Sequence, residues 1–224
     1  MRMRFLRFVV MVLALGLVPL THSPLFADPT TAPTQDAAAN SAVPAATARG
    51  LIESVLADVS VILHNPQLNA SQRSEAVRQV AYANIDFQTL SRLTMAQNWR
   101  GLSPEKQAEF VQEFQKHLSA TYAHMTDNYN NEVLSVAADR KEQNSDWTVQ
   151  TKIVGNQQTD NKPEVIKVDY RLRQKDNQWK VIDVTVDGVS LVANFRSQFQ
   201  EIMSNGGIEQ LLQLLRDKNA AEAK

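Results

Sequence analysis

The spacing of apolar residues changes once along this chain, near residue 130, and that change constrains the fold more than any other feature. Before it, apolar side chains recur every three or four residues. From Leu51 to Leu63 they fall at 52, 55, 56, 59, 62 and 63, one stripe of an amphipathic helix. Asn65-Pro66 ends that helix, because a residue before proline is pushed out of helical geometry. A second helix is expected from about Ser71 to Ala81, and a third from Asp86, a good N-cap, to about Met95, burying Phe87, Leu90 and Leu93. Ser103-Pro104-Glu105 is a strong start signal: a cap, proline at the first helical position, and an acid in the first turn. The long helix it opens carries Phe110, Phe114, Leu118, Tyr122 and Met125 on one face and extends to about Tyr129.

Beyond that point the period is two. Four strands are expected, roughly Glu132–Asp139, Asp146–Val154, Glu164–Gln174 and Gln178–Val186. In the third, Ile166, Val168, Tyr170 and Leu172 alternate with Lys167, Asp169, Arg171 and Arg173. In the fourth, Ile182, Val184 and Val186 alternate with Asp183, Thr185 and Asp187. A sheet with one apolar and one solvated face is the habit of antiparallel pairing. Asp176-Asn177 supplies a tight hairpin turn between the last two strands. Two helices then close the chain, about Leu191–Ser204 and Ile208–Asp217, with Gly206-Gly207 between them as a stop. Segregated helices and one antiparallel sheet make an α+β fold, a four-stranded sheet with helices on its apolar face.

The segment ahead of these helices reads as an address. Arg2, Arg4 and Arg7 precede an apolar run from Phe8 to Leu20, and a short polar stretch ends at Leu25-Phe26-Ala27. That order is a secretory signal peptide, residues 1–27, with an apolar run too short to span a bilayer. Its removal takes away three arginines and no acid, so the net charge moves from −1 to −4. Residues 28–47 hold three prolines, no Lys or Arg, and mostly alanine methyls, so they bury too little to offset their ordering entropy and are expected to form a disordered linker. The folded unit is therefore expected over residues 48–219, in an exported protein.

Few chemistries survive inspection. The chain has no cysteine, which removes disulfides, thiolate metal sites, cysteine nucleophiles and a lipid-modified cysteine. Only 7 glycines leave no phosphate-cradling loop, and the basic residues are scattered, without the clustered face that nucleic acid needs. Gly188-Val189-Ser190-Leu191-Val192 begins like a nucleophile elbow but lacks the final glycine, so Ser190 reads better as the cap of the next helix. His117 and His124 sit seven apart near Glu113, without the closer spacing of a helical metal pair. No metal or cofactor site is expected. The apolar stripes are generous for one small sheet. They either make a filled core or part to leave a deep apolar pocket, the usual character of a small-ligand site.

Several motifs in order resemble one family. Ile85-Asp86-Phe87, Ser91-Arg92-Leu93-Thr94, Asn98-Trp99-Arg100 and Ser103-Pro104-Glu105, with Phe110, Phe114 and Thr121-Tyr122-Ala123, are similar to the periplasmic phospholipid carriers of the Mla pathway, the MlaC-like or toluene-tolerance family. Trp179-Lys180-Val181-Ile182-Asp183-Val184, the Gly188–Val192 run, Asn194-Phe195-Arg196 and Gln198-Phe199 extend the likeness, which spans about residues 50–216. Ala96-Gln97 stands where that family often has glycine, and Phe195 where it often has tyrosine. The resemblance implies a periplasmic protein that encloses a glycerophospholipid's acyl tails and moves lipid between outer and inner membranes, maintaining outer-membrane lipid asymmetry. It also implies docking to an outer-membrane lipoprotein–porin complex and to an inner-membrane ABC transporter with an MCE-domain subunit, with no cofactor and no bond chemistry. The competing readings are a hydrolase of small esters or lipids using Ser190 or His117, and an adaptor with a filled core.

The residues expected to line such a pocket are those on each element's apolar face: Phe87, Leu90, Phe110, Phe114, Leu118, Tyr122, Val149, Val168, Tyr170, Val184, Val189 and Val192. Trp99 is expected to plug the junction before the long helix, and Arg92 and Arg100 to pair with internal carboxylates. Arg196 is the candidate for the headgroup rim or a docking surface. Gly206-Gly207 is a candidate hinge.

Overall fold

A computed structural model describes residues 47–122, 129, 131–159 and 162–222. The expected signal peptide, nearly all of the expected linker, His124, Met125 and the side chain of Tyr122 lie outside the described residues. Helix α1 (Ala48–Leu63) begins where the Thr47 side chain accepts the Gly50 N–H. Helix α2 (Ala70–Asn84) opens with a reciprocal capping box between Asn69 and Gln72. Asp86 caps α3 (Phe87–Met95), accepting from the Thr89 N–H and hydroxyl. Its own N–H donates to the Val181 carbonyl, pinning the start of α3 to the sheet. A 3-10 segment (Ala96–Gly101) leads to α4 (Pro104–Tyr122), where Ser103 Oγ accepts the Lys106 N–H.

The sheet is antiparallel in simple sequence order: β1 (Val133–Lys141), β2 (Trp147–Thr159), β3 (Lys162–Lys175), β4 (Gln178–Val186) and β5 (Val189–Ser190). Asp176 and Asn177 both take positive φ, as a two-residue primed turn requires. The sheet has five strands where four were expected. The added strand β5 follows a second two-residue turn, Asp187-Gly188, also with φ positive at both positions. Aspartate-glycine is the strongest short hairpin signal, yet the strand it creates is only two residues long and leaves no alternation to detect. Helix α5 (Leu191–Glu222) is interrupted at Gly207, whose φ of 68° and ψ of −166° only glycine adopts readily, so the expected pair of C-terminal helices is present.

Two apolar clusters hold these elements together. The larger joins α3, α4 and both parts of α5 around Phe110, Phe114, Phe195 and Phe199. Phe110 and Phe114 stack at 5.5 Å, and Phe195 and Phe199 meet Phe114 edge-on at 5.0 and 5.2 Å. Trp99 is buried edge-on to Phe110, so it plugs this junction. The smaller cluster joins the first half of α1, through Ala48 and Ile52, to Val149, Leu172 and Val181 of the sheet.

Candidate functional site

Strand register sorts the sheet's side chains into two faces. One carries the rows Trp147–Leu172–Val181, Val149–Tyr170–Val184, Val136–Thr151–Val168–Val186 and Leu134–Ile153–Ile166. Helix α1 runs over this face. Its Arg49 reaches Asp139 at 3.1 Å, while His64 at its other end lies 3.2 Å from the Tyr129 hydroxyl, which donates to the Glu132 carbonyl. The helix thus lies along β1, its first half over the Val149 row and its last turns over the Leu134 row.

Those two halves are filled differently. Beneath the first half of α1 the rows are closed by Ala48 and Ile52. Beneath its second half, Val59, Ile62 and Leu63 stay partly exposed, as do Leu134, Ile153 and Val186 below them. Ile166 and Val168 are buried but join neither apolar cluster. Helix α2, which returns beside α1, buries none of its side chains fully, although Val77, Val80 and Tyr82 are drawn partly inward. The Tyr82 hydroxyl meets Ser119 Oγ, closing that side against the last turns of α4. The result is a half-covered apolar region between α1, α2, the end of α4 and the far rows of the sheet.

The expected pocket residues divide between this region and the closed cores. Leu90, Phe110, Phe114, Leu118 and Val192 belong to the aromatic cluster, and Phe110 and Phe114 have no exposed surface. Phe87 lies half-buried against that cluster and edge-on to Tyr82 at 5.4 Å. Val149 is fully buried in the sheet cluster, while Tyr170 and Val184 are half-buried at its edge. Val168 borders the half-covered region, and Val189 is exposed on β5. Not singled out from the sequence were Val59, Ile62 and Leu63 of α1, Val77 and Val80 of α2, and Leu134, Ile153, Ile166 and Val186. Ile153, Ile166 and Val186 share parity with Val149, Val168 and Val184 on their own strands, so alternation alone was a usable signal for them, whereas Leu134 joins them only through its pairing with Ile153.

Among the described residues Arg92 and Arg100 make no ion pair, so the expected pairing with internal carboxylates is not formed. Arg196 and Ser190, by contrast, have structural tasks. Arg196 is exposed and donates twice, at 3.0 and 2.8 Å, to the Leu93 carbonyl near the end of α3. It also lines a surface pocket of about 250 Å³ with Thr94–Asn98 and Gln200. Ser190 Oγ donates to Asp183 at 2.7 Å and accepts the Ala193 N–H at 3.1 Å, the work of a helix cap. Asp183 also accepts the Val192 N–H, so β4, β5 and α5 are tied at one carboxylate. His117 is buried among apolar side chains, with Phe195 edge-on at 6.0 Å. Desolvation, aided by the nearby Lys218 charge, pushes its pKa down to about 4, so it is neutral at pH 7. On the opposite face of the sheet, Arg171 and Arg173 converge on the buried Asp146 carboxylate. Burial alone would raise that carboxyl; the hydrogen bonds and charges of Arg173 and Arg171 outweigh it and hold it below the usual range.

Among the described residues no helix is long and apolar enough to cross a membrane. The fold matches, with a TM-score of 0.67, a phospholipid-binding protein from Ralstonia solanacearum solved in complex with a phospholipid; the chains are 27% identical, and the match covers 79% of this chain and 99% of that one. The toluene tolerance protein ttg2D of Pseudomonas putida is 24% identical over 160 residues, 71% of this chain and 72% of that protein. Residues 53–217 match the family model described as MlaC protein, a span that takes in the aromatic cluster and the sheet, and the chain therefore belongs to the MlaC family.

Proposed function

We propose that this protein is a periplasmic phospholipid carrier that holds acyl tails in the half-covered region beneath α1 and α2 and does no bond chemistry. The carrying observation is the mismatch between the two halves of the inner sheet face: equally apolar rows are sealed by Ile52 on one side and left partly open beneath Val59, Ile62 and Leu63 on the other. An ordinary core would close both, because interiors pack to near-crystalline density. The Ralstonia solanacearum relative, bound to a phospholipid, supports the same reading. The energetics favour enclosure: at about 0.8 kcal/mol per CH₂, roughly 30 methylenes would cost on the order of 24 kcal/mol in water.

In this reading the tails lie against Ile153, Ile166, Val168, Val184 and Val186, the headgroup faces solvent, and Arg196 serves a docking surface beside α3. The carrier moves lipid between an outer-membrane lipoprotein–porin complex and an inner-membrane ABC transporter with an MCE-domain subunit, and so maintains outer-membrane lipid asymmetry. The test is mass spectrometry of an organic extract of the purified protein. Intact diacyl phospholipid near one per chain supports the carrier. Lysolipid with free fatty acid would support the hydrolase reading instead, and a lipid-free protein would support the adaptor.

A further inference from the structure

Tyr170 is the one phenol on the inner face of the sheet, placed in the row Val149–Tyr170–Val184 at the border between the sealed and half-covered regions. Its ring packs against the sheet cluster, and the residue keeps accessible surface. Desolvation by the surrounding apolar side chains pushes its pKa up to about 12, so at any ordinary pH it remains a hydrogen-bond donor. Among the described residues nothing hydrogen-bonds its hydroxyl. Neighbouring hydroxyls do not share that state: Thr151 donates to the Val168 carbonyl at 2.8 Å, and Tyr82 meets Ser119. The Tyr170 hydroxyl is therefore a free donor at the accessible edge of the apolar wall, and phenylalanine in the same place would remove that donor without breaking a bond within the protein.

The surroundings limit what it can donate to. Lys152, Lys167, Arg171 and Arg173 fall on the opposite face by register. The one charged pair in its row, Asp139 with Arg49, lies two strands away on β1, about 10 Å across the sheet, and is already paired. A phosphate brought to Tyr170 would lose its water without meeting a cation. A neutral acceptor carried by an otherwise apolar molecule meets no such penalty.

We propose that Tyr170 is a specificity residue of the lipid site, donating a hydrogen bond to an ester carbonyl of the bound lipid, so that the protein prefers ester-linked diacyl lipids to ether-linked ones. This rests on the carrier reading above. The bond fixes how deep the glycerol backbone sits, leaving the tails on the Leu134 and Val136 rows and the headgroup outside.

The test titrates the delipidated full chain with an ester-linked diacyl phosphatidylglycerol and with its dialkyl ether analogue of equal chain length. The wild type should bind the ester about three- to tenfold more tightly, the range one net hydrogen bond supplies. Tyr170→Phe should abolish that preference by weakening only the ester, while the melting temperature of the delipidated variant stays equal or rises. Equal binding of both lipids by the wild type, or a preference that survives in Tyr170→Phe, would overturn the assignment and leave the carrier reading standing. A lower melting temperature for delipidated Tyr170→Phe would overturn it too, because it would mean the hydroxyl serves the protein. Failure of both lipids to bind would overturn the carrier reading and this assignment together.

Discussion

The cluster of α3, α4 and α5 and the layer of α1, α2 and the sheet draw on similar side chains and use them in opposite ways. In the first, Phe110, Phe114, Phe195 and Phe199 interlock with no accessible surface on Phe110 or Phe114. In the second, an equally apolar face is closed at Val149 and Leu172 and left partly open at Ile153 and Val186. On the proposed carrier reading, the difference teaches that the fold keeps its stability in one region and its binding capacity in the other. A molecule that must accept and release an apolar cargo cannot depend on that cargo to remain folded.

Substitutions that separate the two regions follow from this contrast. The largest loss of stability is expected from Phe114→Ala, about 3–5 kcal/mol, because the aromatic cluster has no slack to fill the void. Chemical denaturation should show it with lipid present or absent. Next comes acid. The His117 pKa is lowered in the fold from 6.5 to about 4, so the unfolded chain takes up this proton first as pH falls. Stability should therefore be intact above about pH 6.5 and lost progressively toward pH 4, by about 3 kcal/mol. Midpoints measured across that range should fall for the wild type and stay flatter for His117→Leu.

Asp146→Asn should cost about 2–3 kcal/mol, less than a fully buried pair because Arg171 and Arg173 are each about a third exposed. Since the Asp146 pKa is depressed in the fold, its contribution is present above the ordinary carboxylate range and lost as pH falls through the folded value. Ser190→Ala should cost about 1 kcal/mol through the lost cap and leave bound lipid intact, as read by thermal melting and extraction. The smallest stability change, under about 1 kcal/mol, belongs to Ile153→Trp, because its side chain is only half-buried and lies outside both packed clusters. It should nevertheless reduce the extracted lipid severalfold. A normal lipid content with a large thermal loss would place Ile153 in an ordinary core.

Much of the fold was legible because it rests on local signals. Asp86, Ser103 and Ser190 cap the helices they precede, Asp176-Asn177 turns the hairpin, and Gly207 breaks α5. Strand β5 was not, since two residues carry no period, though Asp187-Gly188 marked its turn. The division between core and open wall was the least legible part. Phe114 and Ile62 both sit on helical apolar stripes, and nothing local separates them. One meets α5 across the cluster, while the other overlooks sheet rows that no third layer fills. That distinction depends on which distant elements oppose each stripe, information that periodicity does not carry.

The most direct test of the two-region account is photocrosslinking with a phospholipid whose acyl tail carries a diazirine near its end, followed by peptide mapping. The account predicts adducts on Val59–Leu63 of α1, on α2, and on Ile153, Ile166 and Val186, with Phe110, Phe114 and Phe199 unlabelled. Labelling centred on the aromatic cluster, with the helices and sheet rows around Ile153 untouched, would contradict it.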